Sequence, residues 1–377
     1  MLDLTFTQEQ EMLRQMVRSL CAEHCPLTLV REMEDDPVGY PAGLWKQLAE
    51  LDLLGLLVPE AYGGLGMTTL DGVVLYEELG RALAPTPHFV SSVLGAGLLT
   101  AGATEPQKRE WLPQLVSGDA IFTPAWLEPE GGFGPRGVQA RAVTDGDDFV
   151  LSGTKRHVAY ASSATRLVVL ARTGDGPTEV DLFLVDPHAR GVTLTQQHSV
   201  ASDTQYEVRL DRVRVTEAEW AGPAGSGWTA WEAVRDDALI LLAAWIVGAA
   251  TYAQEITVQY AKDREQFGKP LGAFQAIAHY LADRQTELDG ARTLVHEAAW
   301  ARATGRSVAR LAPMAKLFAA KVARDLTATA EQIHGGNGFT VDYDVQLYFR
   351  RAKALQVSWW GDRYLEEMIA ADVLRVP

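Results

Sequence analysis

The chain predicts an α+β protein, helical at both ends with a strand-rich middle, on three observations. Apolar residues recur at helical spacing as far as Val116. From about Ala120 the period shortens, and β-branched runs alternate with Asp and Gly turns. Helical spacing then returns at Trp228 and persists almost to the C-terminus. With 377 residues and 47% apolar content, the chain buries a large core in two or three lobes. The period changes place domain boundaries after residues 118 and 223, giving segments 1–118, 119–223 and 224–377.

The N-terminal helix opens on Thr7 and Gln10, the pair that forms a capping box, with Met12, Leu13, Met16, Val17 and Leu20 following at helical spacing. Residues 44–56, 69–82 and 106–116 continue the helical pattern between Pro/Gly loops. Strands are predicted at Phe149-Val-Leu-Ser, at Arg166–Arg172 and Val180–Val185, and at Tyr206-Glu-Val-Arg-Leu. The loop Ala221-Gly-Pro-Ala-Gly-Ser-Gly227 ends this region. The uncharged run that begins at Ala238 is shorter than the roughly 20 residues a bilayer span needs, and reads as a buried core helix.

A formal charge of −15 without any Lys/Arg block argues against nucleic acid or an anionic membrane as a partner. A phosphate-bearing ligand therefore needs local positive charge within its site. Cys21 and Cys25 flank His24, but two thiols and one imidazole lack a fourth metal ligand. They read as small helix residues in a reducing cytosol, so no metal and a cytoplasmic location are expected. The first residues are acidic and mixed, unlike a secretory leader.

Two short motifs carry the chemistry. Gln332-Ile-His-Gly-Gly-Asn-Gly-Phe339 crowds glycines against a helix end, where backbone N–H groups stay open to an anion. Arg264-Glu-Gln-Phe-Gly-Lys269, with Phe274-Gln275 after it, offers a permanently charged fork suited to a pyrophosphate. Taken singly, the first is an ordinary helix C-cap and the second a solvated charge. Together with Pro59-Glu-Ala-Tyr-Gly-Gly-Leu-Gly66, Leu151-Ser-Gly-Thr-Lys-Arg156, Leu210-Asp-Arg-Val-Arg-Val215 and Arg350-Arg-Ala-Lys-Ala-Leu-Gln356, they resemble the acyl-CoA dehydrogenase family over nearly the whole chain.

That resemblance implies an N-terminal helical domain, a middle β-barrel-like domain and a C-terminal four-helix bundle. It implies FAD held by Arg264, Phe267 and Gln275 and by Gln332, Gly335 and Gly336, across a subunit boundary, hence a homo- or hetero-tetramer. Acyl-CoA thioesters are the implied substrates, and electron-transferring flavoprotein the implied acceptor. Two positions where the family carries its catalytic Glu hold none: Trp359 lies 27 residues after Gln332 and Ala238 lies 26 residues before Arg264. Tryptophan cannot take a proton. Asp237, beside Ala238, is the candidate base, with Asp236 and Asp362 as weaker ones.

The family's flavin-facing middle loop becomes Leu127-Glu-Pro-Glu-Gly-Gly-Phe-Gly134 here, losing a hydroxyl at Leu127 and gaining bulk at Phe133. His157-Val-Ala-Tyr160 replaces a further motif, so that Ala159 lacks the hydroxyl expected near the flavin and His157 stands in for a ring-covering Trp. Three readings follow. The chain works with a related subunit that supplies the base, as in α2β2 members of the family; it uses a displaced base such as Asp237; or it is a lyase/dehydratase-type or non-catalytic subunit on the same scaffold.

Overall fold

A computed structural model describes residues 4–374. Along the chain come α1 (Gln8–His24), α2 (Leu27–Glu32), α3 (Ala42–Glu50), α4 (Thr69–Arg81), α5 (Ala96–Gly102) and α6 (Glu105–Ser117). The strands follow as β1 (Phe122–Ala125), β2 (Arg141–Asp145), β3 (Asp148–Ala159), β4 (Arg166–Arg172), β5 (Val180–Val185), β6 (Val192–Gln197), β7 (Gln205–Val215) and β8 (Trp220–Ala221). Beyond them lie α7 (Gly227–Asp263), the short pair β9 (Glu265–Gln266) and β10 (Lys269–Pro270), then α8 (Gln275–Ala303), α9 (Leu311–His334), α10 (Val345–Val357) and α11 (Asp362–Leu374). Chain contacts group these into two compact units. One is built from the chain up to Arg31, Thr68–Ala84 and everything from Leu239; the other from Glu32–Met67 and Pro85–Ala238.

The first unit is helical, as the spacing predicts. Thr7 and Gln10 form the expected capping box at the start of α1, with Val17 and Leu20 buried and Met12 turned to solvent at 54% exposure. Helix α9 packs on α8, α10 and α11, while α1 lies on α4. α4 and α7 cross so closely that a Cβ on Gly80 would stand 2.0 Å from the Trp245 carbonyl oxygen, and one on Gly248 1.9 Å from that of Glu77. Only hydrogens fit between these backbones, so two glycines fix the crossing. Beside it Glu78 pairs with Arg18 at 2.7 Å, and Glu77 meets His296 Nε2 at 2.7 Å. By length and composition α7 is long and apolar enough to cross a membrane, but 72% of its most apolar window is buried, as in a core helix. Cys21 and Cys25 are also buried, and burial pushes both thiols up, Cys25 to about 12, which leaves them inert.

The second unit centres on an eight-stranded mixed sheet in the order β6-β7-β3-β2-β4-β5-β8, with β1 added against β4. β1 and β2 run parallel to β4 and the other pairings are antiparallel. Leu151, Val158, Leu167, Val169, Phe183, Val208 and Val213 fill its core, and Phe149 meets Phe183 and Trp220 edge-on at 5.1 Å. All four predicted strands are present, two of them longer than the sequence suggests. β1, β2 and β6 are not legible in advance. β1 is a fully buried Phe-Thr-Pro-Ala whose proline reads as a breaker, and β6 is a polar Val-Thr-Leu-Thr-Gln-Gln. The sequence also misses Phe89–Gly95, a turn of π-helix leading into α5 whose wider winding breaks the 3.6-residue period.

Gly248→Ala is expected to destabilise the protein by about 1–3 kcal/mol or more, because backbone has to move to admit the methyl group. Gly43→Ala, in α3 with nothing within 4 Å of the added Cβ, is expected to stabilise by about 0.5–1 kcal/mol. Urea midpoints of the two variants shifting in the same direction would contradict this account.

Candidate active site

The helical unit gathers two of the motifs on neighbouring helix ends. Arg264 N–H closes the last turn of α7 on the Tyr260 carbonyl at 2.8 Å, and the β9–β10 hairpin then turns through Phe267 in left-handed backbone (φ 54°). Phe267 is 92% exposed, and its ring meets Phe274 edge-on, with centroids 6.2 Å apart. The Arg264 guanidinium is exposed and has no ion pair or hydrogen bond among the described residues. Gln275 begins α8, also exposed. The Tyr260 ring stacks on His334 at 4.2 Å, joining the end of α7 to the end of α9. There Gln332 is exposed, and Gly335 takes φ 62°, ψ −138°, a conformation essentially reserved for glycine. Nothing lies within 4 Å of a Cβ built on Gly335 or Gly336.

An unpaired guanidinium, a bare aromatic ring and an open glycine backbone fit a pyrophosphate and its adenosine. They lie open on neighbouring helix ends.

The sheet unit holds the other pieces. Lys155, at 0% exposure, sends its ammonium to Glu128 Oε1 and to the Leu170 carbonyl, both at 2.6 Å. Burial pushes this lysine down, and the Glu128 carboxylate opposes that shift. Glu128 also accepts from the backbone N–H groups of Gln139 and Ala140 at 2.9 Å. One buried ion pair therefore closes the loop of residues 128–139, which lines an open cavity of about 730 Å³. Arg172 secures the loop's far end, donating to the carbonyls of Val138 at 3.0 Å and Pro135 at 2.8 Å. Next to Glu128, the Leu127 carbonyl accepts from Arg156 N–H at 2.8 Å. β3 bulges after Lys155, which puts His157 in left-handed backbone (φ 54°), its Nδ1 2.6 Å from Gln205 Oε1. The Ala159 carbonyl accepts the Thr123 hydroxyl at 2.7 Å. Leu127, His157 and Ala159 are thus tied to one framework.

Of the residues considered as bases, Asp237 is half-buried on α7 and takes part in a side-chain interaction, and Asp236 lies 3.3 Å from Arg235. Trp359 and Trp360 follow the end of α10 with φ 51° and 69°. Left-handed backbone costs roughly 1–2 kcal/mol for each non-glycine residue, so two consecutive tryptophans need outside support. It comes from Lys316 on α9. This lysine is fully buried, and its ammonium donates to the carbonyls of Gln356 (3.2 Å), Ser358 (3.2 Å) and Trp360 (3.1 Å). Burial brings it down to about 8, against the pull of Asp362, which accepts from Gln356 Nε2 at 2.8 Å.

Sequence reasoning passed over Lys316 and Glu331, and it gave no role to Lys155 within the Leu151–Arg156 motif. Glu331, one residue before Gln332, is 2% exposed, and neither carboxylate oxygen has a hydrogen-bond partner among the described residues. It lies under the glycine turn, where a Cβ on Gly338 would stand 2.5 Å from Oε2. Burial pushes its carboxyl up to about 7. The available signal was a charged residue on an otherwise apolar helical stripe: Lys316 lies in Ala-Pro-Met-Ala-Lys-Leu-Phe-Ala-Ala, and Glu331 in Thr-Ala-Glu-Gln-Ile.

The chain thus carries a loop strapped by a buried ion pair in its sheet unit and an open glycine turn at the end of α9 in its helical unit. Family models place it further, since the N-terminal, middle and C-terminal domains of acyl-CoA dehydrogenase match residues 7–119, 124–213 and 225–372, so the chain belongs to the acyl-CoA dehydrogenase family. It is 33% identical over 382 residues to a probable acyl-CoA dehydrogenase, YngJ, of Bacillus subtilis (strain 168), a match spanning 99% of this chain and 100% of the relative. Butyryl-CoA dehydrogenase from Megasphaera elsdenii superposes with a TM-score of 0.90 at 27% identity, over 99% of this chain and 100% of that one. The ChsE4-ChsE5 complex from Mycobacterium tuberculosis gives 0.90 at 27% identity, over 100% of both chains. The chain is accordingly an oxidoreductase of CH–CH groups, of the type that dehydrogenates acyl-CoA thioesters between Cα and Cβ. The lyase reading is not favoured.

Two outcomes are expected. Glu331 has a folded-state value of about 7 against an ordinary 4.5, so the folded protein binds the extra proton between those values and loses stability as pH rises through them. Across that window wild type should lose about 3 kcal/mol relative to Glu331→Gln, read as denaturant midpoints at pH 5, 6, 7 and 8. Parallel curves would refute it. Glu128→Ala leaves the buried Lys155 ammonium without its carboxylate and should cost about 3–5 kcal/mol by the same measurement.

Proposed function

We propose that this chain is the FAD-binding but base-deficient subunit of a cytoplasmic acyl-CoA dehydrogenase tetramer, in which a related chain supplies the carboxylate. The observation that carries the reading is Trp359. Where the family resemblance places a proton acceptor there is an indole in strained backbone, and at the other such position the fully buried Ala238. Arg264, Phe267, Gln275, Gln332, Gly335 and Gly336 would hold the pyrophosphate and adenosine, while Leu127, His157 and Ala159 would line the flavin ring. Bound FAD supplies the hydride acceptor for the substrate β-carbon. The bare Arg264 and Phe267 support a site completed by a second chain, and the ChsE4-ChsE5 complex is a precedent for two-chain assembly among similar folds. Electron-transferring flavoprotein is the proposed acceptor.

The test is anaerobic absorbance with butyryl-CoA and palmitoyl-CoA, first on the chain alone and then with a co-expressed family member that carries the glutamate. Flavin that bleaches only in the co-expressed sample is expected. Bleaching of the lone chain, abolished by Asp237→Asn, would replace this reading with a self-sufficient enzyme. Gly335→Ala adds a methyl group to a backbone conformation that costs about 1–3 kcal/mol for any other residue. Flavin content after desalting should fall roughly tenfold or more in that variant, and unchanged content would remove the glycine turn from the cofactor site.

A further inference from the structure

We infer that Lys316 is the positioning residue of the Trp359–Trp360 loop, holding in place the wall that this chain presents where its relatives carry a base. An ammonium has three donors and no acceptor, and here each donor is spent on a different carbonyl of one five-residue stretch, Gln356, Ser358 and Trp360. Those carbonyls belong to the last turn of α10 and to the residues beyond it, where the helix leaves its final acceptors unpaired. The alternation matters. Gln356, Ser358 and Trp360 point their carbonyls inward to one atom, which the extended Ser358 (ψ 166°) and the two left-handed tryptophans make possible. Trp360 is then 0% exposed and Trp359 half-buried.

A buried lysine normally requires a carboxylate. Asp362 pulls on this ammonium, but its Oδ2 accepts from Gln356 Nε2 and its Oδ1 has no hydrogen-bond partner among the described residues, so the hydrogen bonds of the ammonium go to the main chain. An apolar residue of equal length would fill the same space and leave three carbonyls unanswered. The conformation of the loop, and with it the placement of the Trp359 indole, therefore depends on one side chain some forty residues upstream in the sequence.

The link to catalysis rests on the reading under Proposed function; the positioning itself does not. The test compares Lys316→Met with Lys321→Met, an exposed lysine on the same helix, in the full chain as isolated with its flavin and any partner. Hydrogen exchange of a peptide spanning residues 355–365 should be at least tenfold faster in Lys316→Met, with the α1 and α8 peptides unchanged and the near-UV tryptophan dichroism altered. The Lys321 variant should match wild type. Unchanged loop exchange, or acceleration spread evenly through the bundle, would reduce Lys316 to core filling and overturn the inference. Should the methionine variant fail to fold, Lys316→Gln, which keeps two donors, must show intermediate loop exchange, and wild-type protection there would equally overturn it.

Butyryl-CoA and palmitoyl-CoA titrations of the assembled enzyme separate the two claims. A tenfold or greater rise in KM at constant flavin content supports both. A loosened loop with unchanged KM leaves Lys316 as the loop's anchor and counts against placing that loop at the acyl site.

Discussion

The middle of the molecule depends on the Lys155–Glu128 ion pair. A fully buried ammonium is tolerable only when its donors are all answered, and here a carboxylate, the Leu170 carbonyl of β4 and, at 3.5 Å, the Trp126 carbonyl answer it. Because Glu128 also takes two backbone N–H groups, the charge that answers the buried lysine becomes the clasp of the loop that lines the cavity. Leu127 precedes Glu128 and His157 lies two residues beyond Lys155, so both are placed next to this pair.

The helical unit uses the same device with a different answer. Lys316 has carbonyls in place of a carboxylate, and it stabilises a backbone that the tryptophans would not adopt alone. Arg172 repeats the pattern at the far end of the 128–139 loop. In each case a cation removed from water is bound to main chain, which orders irregular segments without a regular ladder of hydrogen bonds. Glu331 is the exception, a carboxyl buried under the glycine turn without a donor, and most easily kept there as the neutral acid.

The family's chemistry divides between residues this chain keeps and residues it has lost. Arg264, Gln332 and the glycines are kept and lie open. Where the family resemblance places a carboxylate, this chain has an aromatic loop with its own support.

The sequence alone determined the helical ends, the four strands with β-branched alternation, the capping box at Thr7, and the family through its ordered motifs. All of these are local: periodicity and short motifs survive in a linear reading because each depends on residues within a turn or two. The tertiary structure decided which strands join the sheet. It placed β1 beside β4, a pairing between Phe122 and Arg166 that no local pattern announces. It also decided what the charged residues inside apolar segments do, since the partners of Lys155 and Lys316 lie 15 to 44 residues away along the chain. A charge is costly to bury wherever it lies, and only the folded chain shows which distant backbone groups compensate it.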